Sequence, residues 1–299
     1  MSVIKFSKKV LSYLLRHAPG TQCIPDKVYL SWLYRLQIGG KLDWTNPTTF
    51  NQKIQWLKIH DRNALHTVMV DKFSVKGLVA RKIGEEYVIP TLGVWDNFED
   101  IDFSKLPEKF VLKTTHGGGG MDVMVVKDKS KLNIEDAKRK FNKALKKSIW
   151  HYYREWPYKN VPHKIIAEQY LEDEHGELRD YKIFCMNGEP KFLFLATSRL
   201  REEDTTFDFL DLNYKRIPAL NGHPNMSGEP VPPINFDKMI EVARKLSKDE
   251  TFVRVDLYNI RGRIYFGEYT FFHNSGLVPF VPSEWDDKFG EMLTIPNLS

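Results

Sequence analysis

The chain has 299 residues, 42% of them hydrophobic and 13% aromatic, enough to bury a full core as one large domain or as two lobes. Gly and Pro are scattered rather than gathered into tracts and no internal repeat is visible, which excludes a low-complexity or disordered chain. The net charge of +5 favours polyanionic ligands such as nucleotides, acidic sugars or membrane surfaces without choosing among them.

The first predicted element is a basic amphipathic helix over residues 3–15, with Lys5, Lys8 and Lys9 among apolar residues. It is too short and too charged to span a bilayer, and no small-residue cleavage site follows a long apolar core, so neither a transmembrane segment nor a leader is expected. Such a helix can make peripheral contact with the inner face of a membrane, although helices of this kind more often pack on their own protein. Asp26 is placed to cap a second helix that stops at Gly39-Gly40, and Thr48 or Thr49 to start a third through Phe50, Ile54 and Leu57. A further helix is expected from Asp71 to Gly84. The hydrophobic period then changes. Residues 88–95, 110–113 and 121–126 read as strands, a helix follows Asn133, and residues 165–171 form another strand. Asn187-Gly188 joins strands 181–186 and 191–195 in a tight hairpin. A helix over 236–248 precedes strands 252–258 and 264–270. Long antiparallel stretches with single helices predict an α+β fold in lobes, not a doubly wound parallel sheet. Cys23 and Cys185 are the only cysteines, so neither a disulfide framework nor a structural zinc site is expected, Cys185 reads as a small buried hydrophobe, and a reducing cytoplasm fits.

Three segments carry chemistry. On the last two strands Arg254 shares a face with Asp256, and Glu268 with Thr270; if residues 259–262 turn, the polar faces meet. Carboxylates among apolar strand residues need a partner, and a few hard oxygens suit magnesium held against phosphate. The alternative is a hairpin with an Arg254–Glu268 ion pair on a solvated face. Lys113 ends a strand before Gly117, Gly118, Gly119 and Gly120, an arrangement that lets backbone N–H groups and an ammonium clamp phosphate. It is neither a Walker A loop nor a Rossmann fingerprint, because the lysine precedes the glycines and a strand follows. Its alternative is a flexible hairpin loop with Lys113 in solvent, and His116 reads as a loop residue. Residues 137–156 join a basic helix to an aromatic cluster, which suits an acidic sugar or single-stranded nucleic acid. The preferred reading is a helix with a solvated lysine face whose Phe141 and Leu145 enter the core, so no nucleic-acid partner is expected.

In chain order, Asp71-Lys72, Lys113 before the glycines, residues 167–172, Asp180-Tyr-Lys182, Arg254-Val-Asp256 and Glu268-Tyr-Thr270 resemble the ATP-grasp superfamily. Residues 50–56, 60–63, 70–72, 93–95, 110–113, 179–182, 184–191 and 252–258 look more closely like the TupA-like ATP-grasp family of bacterial surface-polysaccharide biosynthesis, from about Leu30 onward. The resemblance implies an N-terminal helical region over 1–66 and an ATP-grasp domain over 67–299, with a first lobe to residue 167 and a second from 168. It implies ATP and magnesium as cofactors. Lys72 and Lys113 then reach the nucleotide phosphates and Gly117–Gly120 fold over them. Glu168 with the backbone of Gln169 and Leu171 reads adenine, and Glu172 or Asp173 is placed for the ribose. Asp256 and Glu268 are implied as magnesium ligands, Arg254 faces the transferred phosphate, and Lys182 adds a cation. Thr270 stands where many such ligases carry asparagine, a stronger ligand; Asn274 is a candidate to compensate, or the loop 272–276 faces the acceptor with Ser275 and Gly276 donating N–H groups. The implied reaction joins a carboxylate to an amine through an acyl phosphate, releasing ADP and phosphate, on a uronic acid or amino acid of a capsular or wall polymer. A sugar kinase on the same scaffold and a non-catalytic basic binding protein for nucleic acid or membrane are the alternatives.

Overall fold

A computed structural model of the protein describes residues 3–118, 122–174, 176–198 and 205–296. Helices α1 (Val3–His17), α2 (Asp26–Gln37), α3 (Phe50–His60), α4 (Ala64–Val70) and α5 (Ser74–Ile83) come first. The Thr49 hydroxyl caps α3 by accepting from the Gln52 N–H, as expected. Asp26 is the first residue of α2 and not its cap, which is Pro25. The helix expected from Asp71 starts at Ser74 instead, because the Asp71 carboxylate accepts from the Phe73 N–H and the Ser74 hydroxyl and holds the chain in a turn.

Strands β1 (Thr91–Trp95), β2 (Phe110–Thr114), β3 (Val123–Val126) and β4 (Ile165–Gln169) form a first sheet in the order β1-β4-β2-β3, with every pair antiparallel. Between β3 and β4 lie α6 (Ile134–Ala144), capped by Asn133, and α7 (Ile149–Tyr153). Helix α6 buries Ala137, Phe141 and Ala144, in keeping with the preferred reading of its basic face.

A second sheet contains β5 (Asp180–Met186), β6 (Glu189–Thr197), β7 (Thr206–Leu210), β8 (Phe252–Ile260) and β9 (Arg263–Thr270). Its order is β7-β6-β5-β8-β9, again antiparallel. Asn187 and Gly188 close one hairpin with φ of 53° and 80°, and Arg261 and Gly262 close another with 51° and 87°, the left-handed pairs that two-residue hairpins require. Helix α8 (Phe236–Ser247) packs on β5, β6 and β8, and α9 (Glu284–Glu291) packs on α3.

The largest core lies on the second sheet, where Phe184, Phe192 and Val253 meet Phe50, Ile54 and Leu57 of α3 and Val70 of α4. The boundary expected after residue 66 therefore falls inside α4, and α3 belongs to this core. The first sheet likewise extends to Gln169 of β4, past the expected lobe end at residue 167. Cys185 is buried, and burial pushes its thiol up to about 12. Among the described residues no helix is long and apolar enough to cross a membrane.

Candidate active site

Strands β8 and β9 pair so that Arg254 lies opposite Thr270 and Asp256 opposite Glu268, while Val253, Val255 and Leu257 enter the core. Like charges directly opposite each other are unfavourable, and cations hold them here. Arg254 Nε and Nη2 donate to Asp256 Oδ1 and Oδ2 at 2.7 Å each. Lys182, opposite Asp256 on β5, donates to Asp256 Oδ2 and lies 2.8 Å from Asp180. Lys72 reaches Glu268 at 3.3 Å, Arg254 Nη2 lies 4.0 Å from it, and Thr270 Oγ1 accepts from Arg254 Nη2 at 3.0 Å. Burial alone would raise the Glu268 carboxyl, yet Lys72, Lys182, Arg254 and Lys113 bring it down to about 2. The solvated hairpin does not apply, since Arg254 and Asp256 are buried and the guanidinium binds Asp256 on its own strand at shorter range than Glu268.

The first sheet supplies the other charges. Lys113 Nζ of β2 lies 2.5 Å from Glu168 Oε2 of β4, and Lys76 of α5 lies 2.6 Å from Oε1. Burial would raise Glu168, but these two lysines hold it below the usual carboxylate range. Its carboxylate, expected at an adenine edge, is thus clasped between two ammonium groups. Lys72 sits in the turn after α4, where its N–H donates to Thr115 O at 3.0 Å and its ammonium to Gly117 O. A Cβ at Gly117 would lie 2.4 Å from Thr114 Oγ1 and 3.1 Å from Asp122, so only glycine lets the chain fold back over β2. Gly119 and Gly120 lie outside the described residues. His116 is more than a loop residue: it is buried and stacks on His163 with ring centroids 3.6 Å apart. Burial, helped by His163, lowers its pKa to about 4, so it is neutral at pH 7.

Between the sheets lies a cleft of about 500 Å³, within the range of small-ligand sites. Lys72, Lys113, Gly117, Gly118, Glu168 and Gln169 line one side with Leu171, and Asp180, Tyr258, Gly267 and Glu268 the other. Glu172 and Asp173 are not among the lining residues. Glu172 accepts from the Tyr170 hydroxyl at 2.5 Å, and Asp173 accepts from the backbone N–H and Nε of Arg179. Glu177, which sequence reasoning missed, does line the cleft. Lys76 was also missed, although its place four residues after Lys72 was a usable signal.

A polyphosphate and a hard divalent cation fit this donor set. Glu268 lines the cleft and offers its carboxylate there, while Asp256 opposite it is buried outside the lining with both oxygens bound by Arg254 and Lys182, and Lys72, Lys113, Lys182 and Arg254 surround the pair with positive charge. Among the described residues no group of three or more His, Cys, Asp or Glu forms a metal site. Two carboxylates alone would make only part of the oxygen shell of a hard divalent cation.

The loop after β9 is held by a second feature the sequence reading missed, a buried polar stripe on α3. Asn51, Gln55 and Lys58 recur at helical spacing and are all buried. Gln55 Nε2 donates to Ser275 O and Gly276 O at 2.8 and 2.9 Å. Lys58 Nζ donates to Ser275 O at 2.8 Å and to Ser275 Oγ at 3.0 Å, and that hydroxyl donates to Glu155 at 2.6 Å. Burial lowers the Lys58 ammonium to about 7 against the pull of Glu155. Gly276, at φ +60°, faces Gln55 so closely that a Cβ would lie 2.6 Å from Nε2. The Ser275 N–H, expected to face an acceptor, donates to Phe272 O instead. Asn274 Nδ2 donates to Asn221 Oδ1 at 2.5 Å. His273 Nδ1 accepts from Arg254 at 2.9 Å and its Nε2 lies 3.1 Å from Asn221 Oδ1; burial, with Arg254 and Lys182, keeps its pKa far below the usual value.

Two antiparallel sheets with a cation-lined cleft between them make an ATP-grasp fold. The chain belongs to the TupA-like ATP-grasp family, whose model matches residues 52–294, a start later than the Leu30 expected. No curated protein matches the chain. Among solved structures, D-alanine–D-alanine ligase from Bacillus anthracis complexed with ATP is 13% identical at a TM-score of 0.38, covering 68% of this chain and 53% of its own. D-alanine–D-alanine ligase from Helicobacter pylori is 15% identical at 0.41, covering 82% and 69%. An ATP-grasp RimK domain protein from Sphaerobacter thermophilus is 11% identical at 0.41, covering 78% and 70%. The chain thus spans little more than half the length of the first of these, and the family assignment rests on the match over residues 52–294.

Proposed function

We propose that the protein is an ATP- and magnesium-dependent ligase that joins a carboxylate to an amine through an acyl phosphate. The observation that carries this reading is the register of β8 and β9, which sets Asp256 opposite Glu268 beside Arg254, Lys182 and Lys72. Lys72 and Lys113 grip the phosphates of ATP from the first sheet, under the loop from Gly117, while the backbone of Gln169 and Leu171 meets the base. Glu268 and, where Arg254 and Lys182 give up one of its oxygens, Asp256 would hold magnesium, which would supply neutralisation of phosphate charge. Thr270 contributes through Arg254, whose guanidinium it helps to fix. Arg254 and Lys182 face the charge that develops as the substrate carboxylate attacks the γ-phosphorus and ADP leaves. An amine nitrogen then attacks the acyl carbon, the carbon–oxygen bond breaks, phosphate departs, and the proton of the amine passes to solvent. The family resemblance directs the search for the carboxylate toward a uronic acid or amino acid of a capsular or wall precursor, handled in the cytoplasm.

Hydroxylamine trapping tests this. With ATP, magnesium and a panel of uronic acids and amino acids, the ligase reading expects a hydroxamate formed in step with ADP and phosphate. ADP release with a phosphorylated hydroxyl and no hydroxamate would make the protein a kinase.

A further inference from the structure

Helix α1 turns several apolar side chains to the outside. Its polar residues attach it to the body: Ser12 is buried and accepts from Gln37 Nε2 of α2 at 2.5 Å, and Arg16 Nη1 donates to the Tyr153 hydroxyl at 3.0 Å. Four of its apolar residues face outward, Val10, Leu11, Tyr13 and Leu14 being between 41% and 58% exposed, while Leu15 packs against the cluster around Leu30 and Leu33. On α2, Val28 and Trp32 are exposed in the same way. A helix that only needed to pack on its own protein would turn the opposite face inward, and exposed apolar runs of this kind mark contact surfaces.

The segment that carries this face is strongly basic. Through Lys41 the segment carries Lys5, Lys8, Lys9, Arg16, Lys27, Arg35 and Lys41 against the single carboxylate Asp26. Asp26 is itself engaged by Arg62 at 2.7 Å and Arg154 at 3.1 Å. The basic excess of the whole chain, +5, therefore lies in this segment. A contact between two copies through this face would set one basic segment against another. The helix is also no span, since its 15 residues reach about 22 Å against a hydrocarbon core of about 30 Å.

We propose that α1 docks the protein on an anionic membrane surface, with Val10, Leu11, Tyr13 and Leu14 in the headgroup boundary and Lys8 and Lys9 against lipid phosphates. Apolar burial and the attraction of lysines to acidic headgroups act together in such docking, and the second is weakened by salt. The proposal does not depend on the reaction assigned above.

Co-sedimentation of the full chain with vesicles tests it. Binding is expected to vesicles of phosphatidylcholine with phosphatidylglycerol, and at least about tenfold weaker to phosphatidylcholine alone or at high salt. Leu11→Asn/Leu14→Asn and Lys8→Glu/Lys9→Glu should each lose binding about tenfold or more while keeping the melting temperature, because these side chains are exposed. Absence of binding to the acidic vesicles, or binding untouched by either double variant, overturns the proposal. So does a self-association of the protein that the Leu11/Leu14 variant abolishes, which would give this face to a second copy.

Discussion

At the scale of the residue, Asp256 is where the strands of the second sheet converge electrostatically. It sits on β8, opposite Glu268 on β9 and Lys182 on β5, and both of its oxygens accept from Arg254. A buried charge that loses its partner is left desolvated. Asp256→Asn conserves volume but leaves Arg254 and Lys182 short of an anion and removes a charged oxygen from the proposed magnesium site. ATP turnover should then fall by about a hundredfold or more while the circular dichroism spectrum is retained. ADP formation at the rate of the unaltered protein would remove Asp256 from the proposed role. The charge pattern that makes Asp256 central was visible in the alternation of residues 252–258, because a strand pointing Arg254 and Asp256 the same way leaves few ways to satisfy both. The place of His116 was not visible. Its burial depends on His163, far along the chain, and nothing local to a glycine loop announces a stacking partner.

At the scale of the element, α3 does two jobs with two faces. Phe50, Ile54 and Leu57 join the core of the second sheet, and Asn51, Gln55 and Lys58 hold the segment after β9 and the start of α9. The buried Lys58, Ser275 and Glu155 chain makes the second job sensitive to single substitutions. Lys58→Met should destabilise the protein by about 3–5 kcal/mol, because it strands a buried carboxylate. Adding Glu155→Gln should recover most of that loss, since both charges are then gone. Urea unfolding of the two single variants and the double variant measures this, and a double variant no more stable than Lys58→Met would contradict the coupling. Elements with a clear period or a strong turn signal were legible from the chain alone: the Asn187-Gly188 hairpin, the helix after Asn133, and the helix that is α8. Helix α4 was not, because seven residues show too little period and a helix that short is held by packing rather than propensity. Strand β7 escaped for a related reason, being a short edge strand whose pairing with β6 is entirely non-local.

At the scale of the whole molecule, the α+β architecture and the family were readable because several weak signals occur in one order, each separated by the right kind of element. The division of labour between the lobes was less so. A boundary after residue 66 reads well along the chain, but it falls inside α4, whose Val70 joins residues of α3 in the second sheet's core, and β4 carries the first sheet to Gln169. The result is a cleft whose two walls come from different sheets, with Lys72 spanning it from Gly117 to Glu268. Binding of a nucleotide between those walls is the central claim, and calorimetric titration of ATP into the folded full chain tests it most directly. The account predicts a saturable heat in the presence of magnesium, weakened when magnesium is chelated and at least about tenfold weaker, or about 1.4 kcal/mol, in Lys113→Ala. A flat titration of folded protein, or an affinity unchanged in that variant, would contradict it.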